Sequence, residues 1–112
     1  MRNLILFSIL LLLLTGCTPK TTSPSISIVA KQFAFEPSVI NVNQRDEVTL
    51  SIKSLDVTHG ISIPDYDINE RLDPGKTTII KFTADKKGEF IAHCSVYCGI
   101  KHQDMVLKIV VT

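Results

Sequence analysis

Between Ser25 and Thr112, apolar residues recur at every second position in short segments, and turn-forming clusters separate the segments. The clearest period of two runs over Glu47–Lys53, which predicts Val48, Leu50 and Ile52 on a buried face and Thr49 and Ser51 on the other. Ser25–Lys31 sets Ile26 and Ile28 on one face, and Val39–Val42 is short and apolar. Leu55–Ile63 carries Val57, His59, Ile61 and Ile63 in the same period, and Lys76–Thr83 carries Ile79, Ile80 and Phe82. Glu89–Cys94 aligns Phe90, Ala92 and Cys94, and Met105–Val111 aligns Leu107, Ile109 and Val111. Asp73-Pro74-Gly75 suits a turn with Pro and Gly at its central positions; Asp85-Lys86-Lys87-Gly88 and the weaker Gln44-Arg45-Asp46 mark two more. No helical period is sustained in this region, so the pattern predicts an all-β protein, two sheets packed face to face with Greek-key connections.

The N-terminal segment departs from this pattern. Leu4–Leu14 is apolar except at Ser8 and follows Arg2. It is about half the ~20 residues of a membrane-spanning helix and fits the apolar core of a secretory signal peptide. Leu14-Thr15-Gly16-Cys17 resembles the lipobox of bacterial lipoproteins, which implies cleavage before Cys17 and lipid on its thiol. The alternative is an ordinary signal peptide that ends near a cysteine. The polar, Pro-containing stretch from Thr18 reads as a tether. The expected layout is a lipoprotein signal peptide at 1–16, a lipidated tether at 17–24 and a folded domain at 25–112, held by lipid at the extracytoplasmic face of a membrane, periplasmic or cell-surface.

A chain of 112 residues accommodates one such domain. Its net charge of +1 offers no basic surface for nucleic acid. The 45% hydrophobic content is inflated by the N-terminal run.

The candidate chemistry lies between the last two predicted strands. Cys94, Cys98, His102 and Met105 fall within twelve residues beside Gly99, and a second imidazole, His59, lies far upstream. Sulfur and imidazole together are the donors copper prefers. Two thiolates can bridge two copper ions, each completed by one His and a weak axial ligand. Each residue also has a plainer reading. In an oxidising compartment Cys94 and Cys98 can form a disulfide, His59 can be a hydrogen-bonded structural residue, and Met105 can be core. The two Cys and two His can instead hold a closed tetrahedral zinc, although Met105 is a poor zinc ligand.

The spacing Cys-x3-Cys-x3-His-x2-Met after an upstream His resembles the copper-A domain of cytochrome c oxidase subunit II, which also occurs in nitrous oxide reductase. Asp56-Val57-Thr58-His59-Gly60-Ile61-Ser62-Ile63-Pro64, Phe33-Ala34-Phe35-Glu36-Pro37 and Leu72-Asp73-Pro74-Gly75-Lys76 are similar to further family segments, and the match covers Ser25–Thr112. Gly99–Met105 is most similar to the short subunit II forms with one membrane anchor. The resemblance implies a cupredoxin-like Greek-key β-sandwich with a two-copper centre. Cys94 and Cys98 would bridge both ions, His59 and His102 would bind one each, and Met105 and the backbone carbonyl of Val96 would be the axial ligands. Val96 stands where the family often has a magnesium-binding Glu. With no Trp in the chain, Phe35 is the expected substitute for an exposed electron-entry Trp. His93 is expected to be a surface residue, with an additional ligand as the alternative.

The implied function is electron transfer from a soluble donor, such as a cytochrome c or another cupredoxin, to the catalytic subunit of a haem–copper oxidase in a respiratory chain. The domain would catalyse no bond change itself. The alternatives are a free-standing copper-binding or copper-delivery cupredoxin, and a sandwich whose Cys94–Cys98 disulfide is structural. The acidic residues Asp56, Asp65, Asp67, Glu70 and Asp73 suggest either a docking face for a basic donor or a solvated acidic edge.

Overall fold

In a computed structural model, the protein is described over residues 15–17 and 21–112. The apolar run Leu4–Leu14, and with it the expected signal peptide core, lies outside the described residues, as does the 18–20 part of the tether. The described strands are β1 (Ser25–Lys31), β2 (Ala34–Glu36), β3 (Val39–Val42), β4 (Glu47–Ser54), β5 (His59–Ile63), β6 (Ile68–Leu72), β7 (Thr77–Thr83), β8 (Gly88–His93) and β9 (Val106–Val111). They form two sheets, ordered β2-β1-β4-β7 and β3-β9-β8-β5-β6. The β1–β4 and β3–β9 pairings are parallel. The expected all-β, two-sheet architecture is therefore what the chain adopts.

The period of two explains the core. Val48, Leu50 and Ile52 of β4 are buried, with Ile28 and Ala30 from β1 and Ile80 from β7. The facing sheet contributes Ile40, Val42, Ile61, Ile63, Leu72, Ala92, Leu107, Ile109 and Val111. Leu50 lies opposite Ile80 and beside Ile26, so the same register stacks apolar side chains across three strands. Ile79, the neighbour of Ile80, points outward and is 55% exposed.

Two strands carry no alternating signal. The β2 segment has only three residues. In β6, Asn69, Glu70 and Arg71 are exposed and only Leu72 is buried. Polar side chains at a sheet edge discourage pairing with another chain. The strand expected from Leu55 starts instead at His59. Ahead of it, the Ser54 hydroxyl donates to the Val57 carbonyl at 2.5 Å, and the Asp56 carboxylate accepts the Val57 N–H at 2.6 Å. These local side-chain bonds compete with the ladder. Short 3-10 turns at Pro64–Tyr66 and His102–Asp104 are too brief to give a periodic signal. The turn at Asp73–Lys76 forms as expected: Gly75 has φ +73°, and the Lys76 N–H donates to the Asp73 carbonyl at 3.2 Å.

The β1 strand begins at Ser25, but hydrogen bonding reaches further back. The Thr22 and Pro24 carbonyls accept the N–H groups of Glu47 (3.0 Å) and Thr49 (2.9 Å). The Thr22 hydroxyl donates to the buried carboxylate of Asp46, which also accepts the Asn43 N–H at 2.8 Å. Among the described residues, no helix is long and apolar enough to cross a membrane.

Candidate metal centre

His59 opens β5 and is fully buried. Its Nε2 lies 2.7 Å from Asp56 Oδ1, and the other carboxylate oxygen accepts the backbone N–H of Gln32 at 2.8 Å. A carboxylate at Nε2 fixes the proton there and leaves Nδ1 as the free lone pair. Nδ1 faces Cys94 Sγ at 3.9 Å.

The remaining donors come from the β8–β9 loop. Cys94 follows β8 directly, and its N–H donates to the Met105 carbonyl at 3.1 Å, closing the loop at its base. Cys98 Sγ lies 3.8 Å from Cys94 Sγ, 3.6 Å from His102 Nδ1 and 4.0 Å from Met105 Sδ. The Val96 carbonyl lies 3.1 Å from Cys94 Sγ. The ligand atoms of His59, Cys94 and Cys98 all lie within 4.8 Å of one another. His102 and Met105 join this group through Cys98. His59 and Met105 have no exposed surface, whereas His102 is half-buried. The six residues named from the sequence are thus linked in one cluster through the two sulfurs.

Two glycines make the approach possible. A Cβ on Gly60 would lie 2.3 Å from Ser95 Oγ and 2.9 Å from Val96 Cγ2, so only glycine lets β5 lie against the loop. Gly99 has φ +140°, and a Cβ there would meet the Phe33 ring at 2.8 Å.

The donor set fits copper. A sulfur separation of 3.8 Å is far beyond the ~2.05 Å of a disulfide, and both cysteines are free. It lies within the span of two sulfurs sharing one ion at roughly 2.3 Å from each. Burial pushes the Cys98 thiol up, and the adjacent Cys94 thiol adds to this, to about 11. Without metal Cys98 is therefore protonated at neutral pH, and binding must expel that proton. At Asp56 burial acts upward, but the N–H groups of Gln32 and Val57 and the His59 ring outweigh it and hold the carboxyl below its ordinary value.

Several expectations change. Phe35 is fully buried, so it offers no exposed electron-entry ring. Tyr97, 76% exposed with its ring centroid 5.6 Å from that of His102, and Ile100, 90% exposed, occupy the surface beside the site instead. Asp56 is engaged by Gln32, Val57 and His59, and Asp73 accepts Arg71 Nε–H at 2.8 Å, so neither is a free member of an acidic docking face. His93 is exposed on β8, as expected of a surface residue. Cys17 is exposed and free. Asp56 and Gln32 were not read from the sequence as parts of the site. The Asp-x-x-His spacing was available as a signal for Asp56. Gln32 reaches partners 24 and 66 positions away and leaves no local signal.

Residues 4–111 match the model of the cupredoxin-like domain family. The chain is 34% identical over 87 residues to cytochrome c oxidase subunit 2 of Thermus thermophilus, covering 78% of this chain and 64% of that one. It is 33% identical over 91 residues to nitrous-oxide reductase of Cupriavidus necator, covering 78% of this chain and 14% of the enzyme. It therefore spans less than two thirds of the length of either relative. Its fold superposes on the periplasmic domain of subunit II of cytochrome oxidase of Bradyrhizobium japonicum with a TM-score of 0.74 at 20% identity, over 86% of this chain and 88% of that domain. These relatives bear out the resemblance to subunit II that the motifs carry, and the chain belongs to the cupredoxin-like domain family.

Proposed function

We propose that this chain is a copper-A electron-transfer domain of the subunit II type. In this reading Cys94 and Cys98 would hold two copper ions jointly, His59 and His102 would hold one each, and Met105 and the Val96 carbonyl would complete the donor set. The observation that carries the proposal is the pair of buried, unbonded thiols 3.8 Å apart, with an imidazole nitrogen 3.9 Å from one and 3.6 Å from the other.

Bound in this way, copper supplies a one-electron couple shared between two ions. The protein's contribution is a fixed set of donors. Asp56 holds the His59 ring, the Cys94 N–H ties the ends of the loop, and Gly60 lets strand and loop stay in contact. Donors that move little between oxidation states suit electron transfer. Electrons from a soluble donor, a cytochrome c or another cupredoxin, would enter over His102, Tyr97 and Ile100 and pass to the catalytic subunit of a haem–copper oxidase. Cys17 would carry the lipid that holds the domain at the extracytoplasmic face, with a signal peptide at 1–16, a tether at 17–24 and the copper domain at 25–112. A copper-delivery role is disfavoured, because the buried His59 and Met105 are out of reach of a receiving protein.

Reconstitution with copper tests this reading, followed by metal counting and electron paramagnetic resonance. A soluble form for this purpose must retain Thr22, given its bonds to Asp46 and Glu47. Two coppers per chain with one unpaired spin shared over both nuclei is the expected result. One copper with spin on a single nucleus would overturn the binuclear proposal. Co-purification with a haem-containing subunit distinguishes an oxidase component from a free-standing carrier.

A further inference from the structure

The donors belong to two segments far apart in sequence, and the sheet ties these segments together weakly. Only Ser62 and His93 pair between β5 and β8. The β1–β2 turn bridges both. Its Gln32 donates the backbone N–H to Asp56, the carboxylate that holds His59, and the side-chain amide to the Cys98 carbonyl at 2.7 Å. The adjacent Phe33 ring covers Gly99. The strand carrying this turn is itself fixed, since β1 pairs with β4 from Ser25↔Thr49 to Ala30↔Ser54.

We infer that Gln32 is a positioning residue for the metal centre, a cross-brace that sets Cys98 relative to His59. This role rests on the copper-A reading above. Gln32 touches no donor atom. Its side chain fixes the Cys98–Gly99 peptide through the carbonyl, and its backbone fixes the imidazole through Asp56. Substituting the side chain releases the first tie and leaves the second, because the backbone N–H survives any substitution except proline.

The test replaces the amide by an apolar side chain of similar length, Gln32→Met, in the full chain. Copper affinity is read by competition with a copper(I) chelator, and the copper hyperfine pattern by electron paramagnetic resonance. Loss of a partner that orients a ligand typically weakens metal binding by ~10–100-fold, and roughly a tenfold loss with an altered hyperfine pattern is expected. A lower apo melting temperature with unchanged affinity and spectrum would mean a merely structural role and would overturn the inference. Should the variant not fold, the natural apo chain still decides by hydrogen exchange. The Gln32 side-chain amide protons should exchange more slowly than those of the exposed Gln103, and equal rates would remove the brace. A chain that binds no copper refutes the parent reading, whereas this exchange measurement tests the brace independently of metal.

Discussion

Strand β4 is flanked by two aspartates that make similar hydrogen bonds for different ends. Asp46, just before the strand, is buried and accepts the Thr22 hydroxyl and the Asn43 N–H. Asp56, just after it, accepts the N–H groups of Val57 and Gln32 and holds the His59 ring. Both carboxyls lie below their ordinary value because N–H or O–H donors favour the charged form. At the first end, every partner belongs to the main fold or to the segment leading into it. At the second end, one partner is an imidazole whose other nitrogen faces a thiol. The same chemistry thus fastens the chain at one pole and aims a donor at the other. The difference lies in what the carboxylate holds, and it predicts that damage at the two poles will be read by different instruments.

The largest effect should follow loss of a bridging thiol. Cys98→Ser removes the sulfur nearest to both His102 and Met105, and two-copper binding should disappear in metal analysis. A variant that still held two coppers with a shared spin would break the proposed bridging. Asp56→Asn comes next. It removes the charge that keeps the Nε2 proton in place, and copper affinity should fall by ~10–100-fold, as measured by chelator competition. Gly60→Ala tests the contact between β5 and the loop. A methyl group 2.3 Å from Ser95 Oγ, 2.9 Å from Val96 Cγ2 and 3.1 Å from Val96 N must displace these groups, at a cost of about 1–3 kcal/mol for overpacking. Chemical denaturation should show this cost in the apo chain, and the holo spectrum should change with it. An unchanged spectrum would mean that strand and loop separate without disturbing the donors.

Much of this was legible in the sequence, for a physical reason. Strands buried on one face alternate, and β4, β8 and β9 alternate cleanly because Val48, Leu50, Ile52, Ala92, Leu107 and Ile109 all reach the core. The cluster of candidate donors was legible because Cys94, Cys98, His102 and Met105 fall in one short segment of the sequence. The edge strands β2 and β6 were not, although the edge strands β3 and β7 were. The β6 strand is held by main-chain bonds to β5 from His59↔Leu72 to Ile63↔Ile68, and its exposed polar side chains carry no periodic signal. Asp56 reads as one more surface carboxylate; its spacing of three from His59 is the one local signal, and spacing alone does not separate an acid that faces water from one that faces the ring. The exposed entry ring was misassigned to Phe35. Aromatic identity marks a position but not its side of the sheet, and Phe35 of β2 points into the core.

The smallest effect belongs to the Asp46 pole and is read by acid rather than by copper. The carboxyl of Asp46 is lowered chiefly by the Thr22 hydroxyl and then by the Asn43 N–H, against an opposing contribution from burial. A carboxyl lowered in the folded state binds protons more readily when unfolded. It therefore contributes stability that is present above the ordinary value of 3.8 and is lost as pH falls through the lower folded value. Thr22→Val removes the principal donor, so the acid-unfolding midpoint of the apo chain should move to higher pH. Asp46→Asn should remove this contribution to the acid limb altogether. The apo chain is the right sample, because bound copper adds its own stabilisation to the folded state. Neither substitution touches a donor, so copper affinity and hyperfine pattern at neutral pH should match the natural chain. A copper centre disturbed by Thr22→Val would mean that β4 transmits displacement from one aspartate to the other, and the two poles would then be a single mechanical unit.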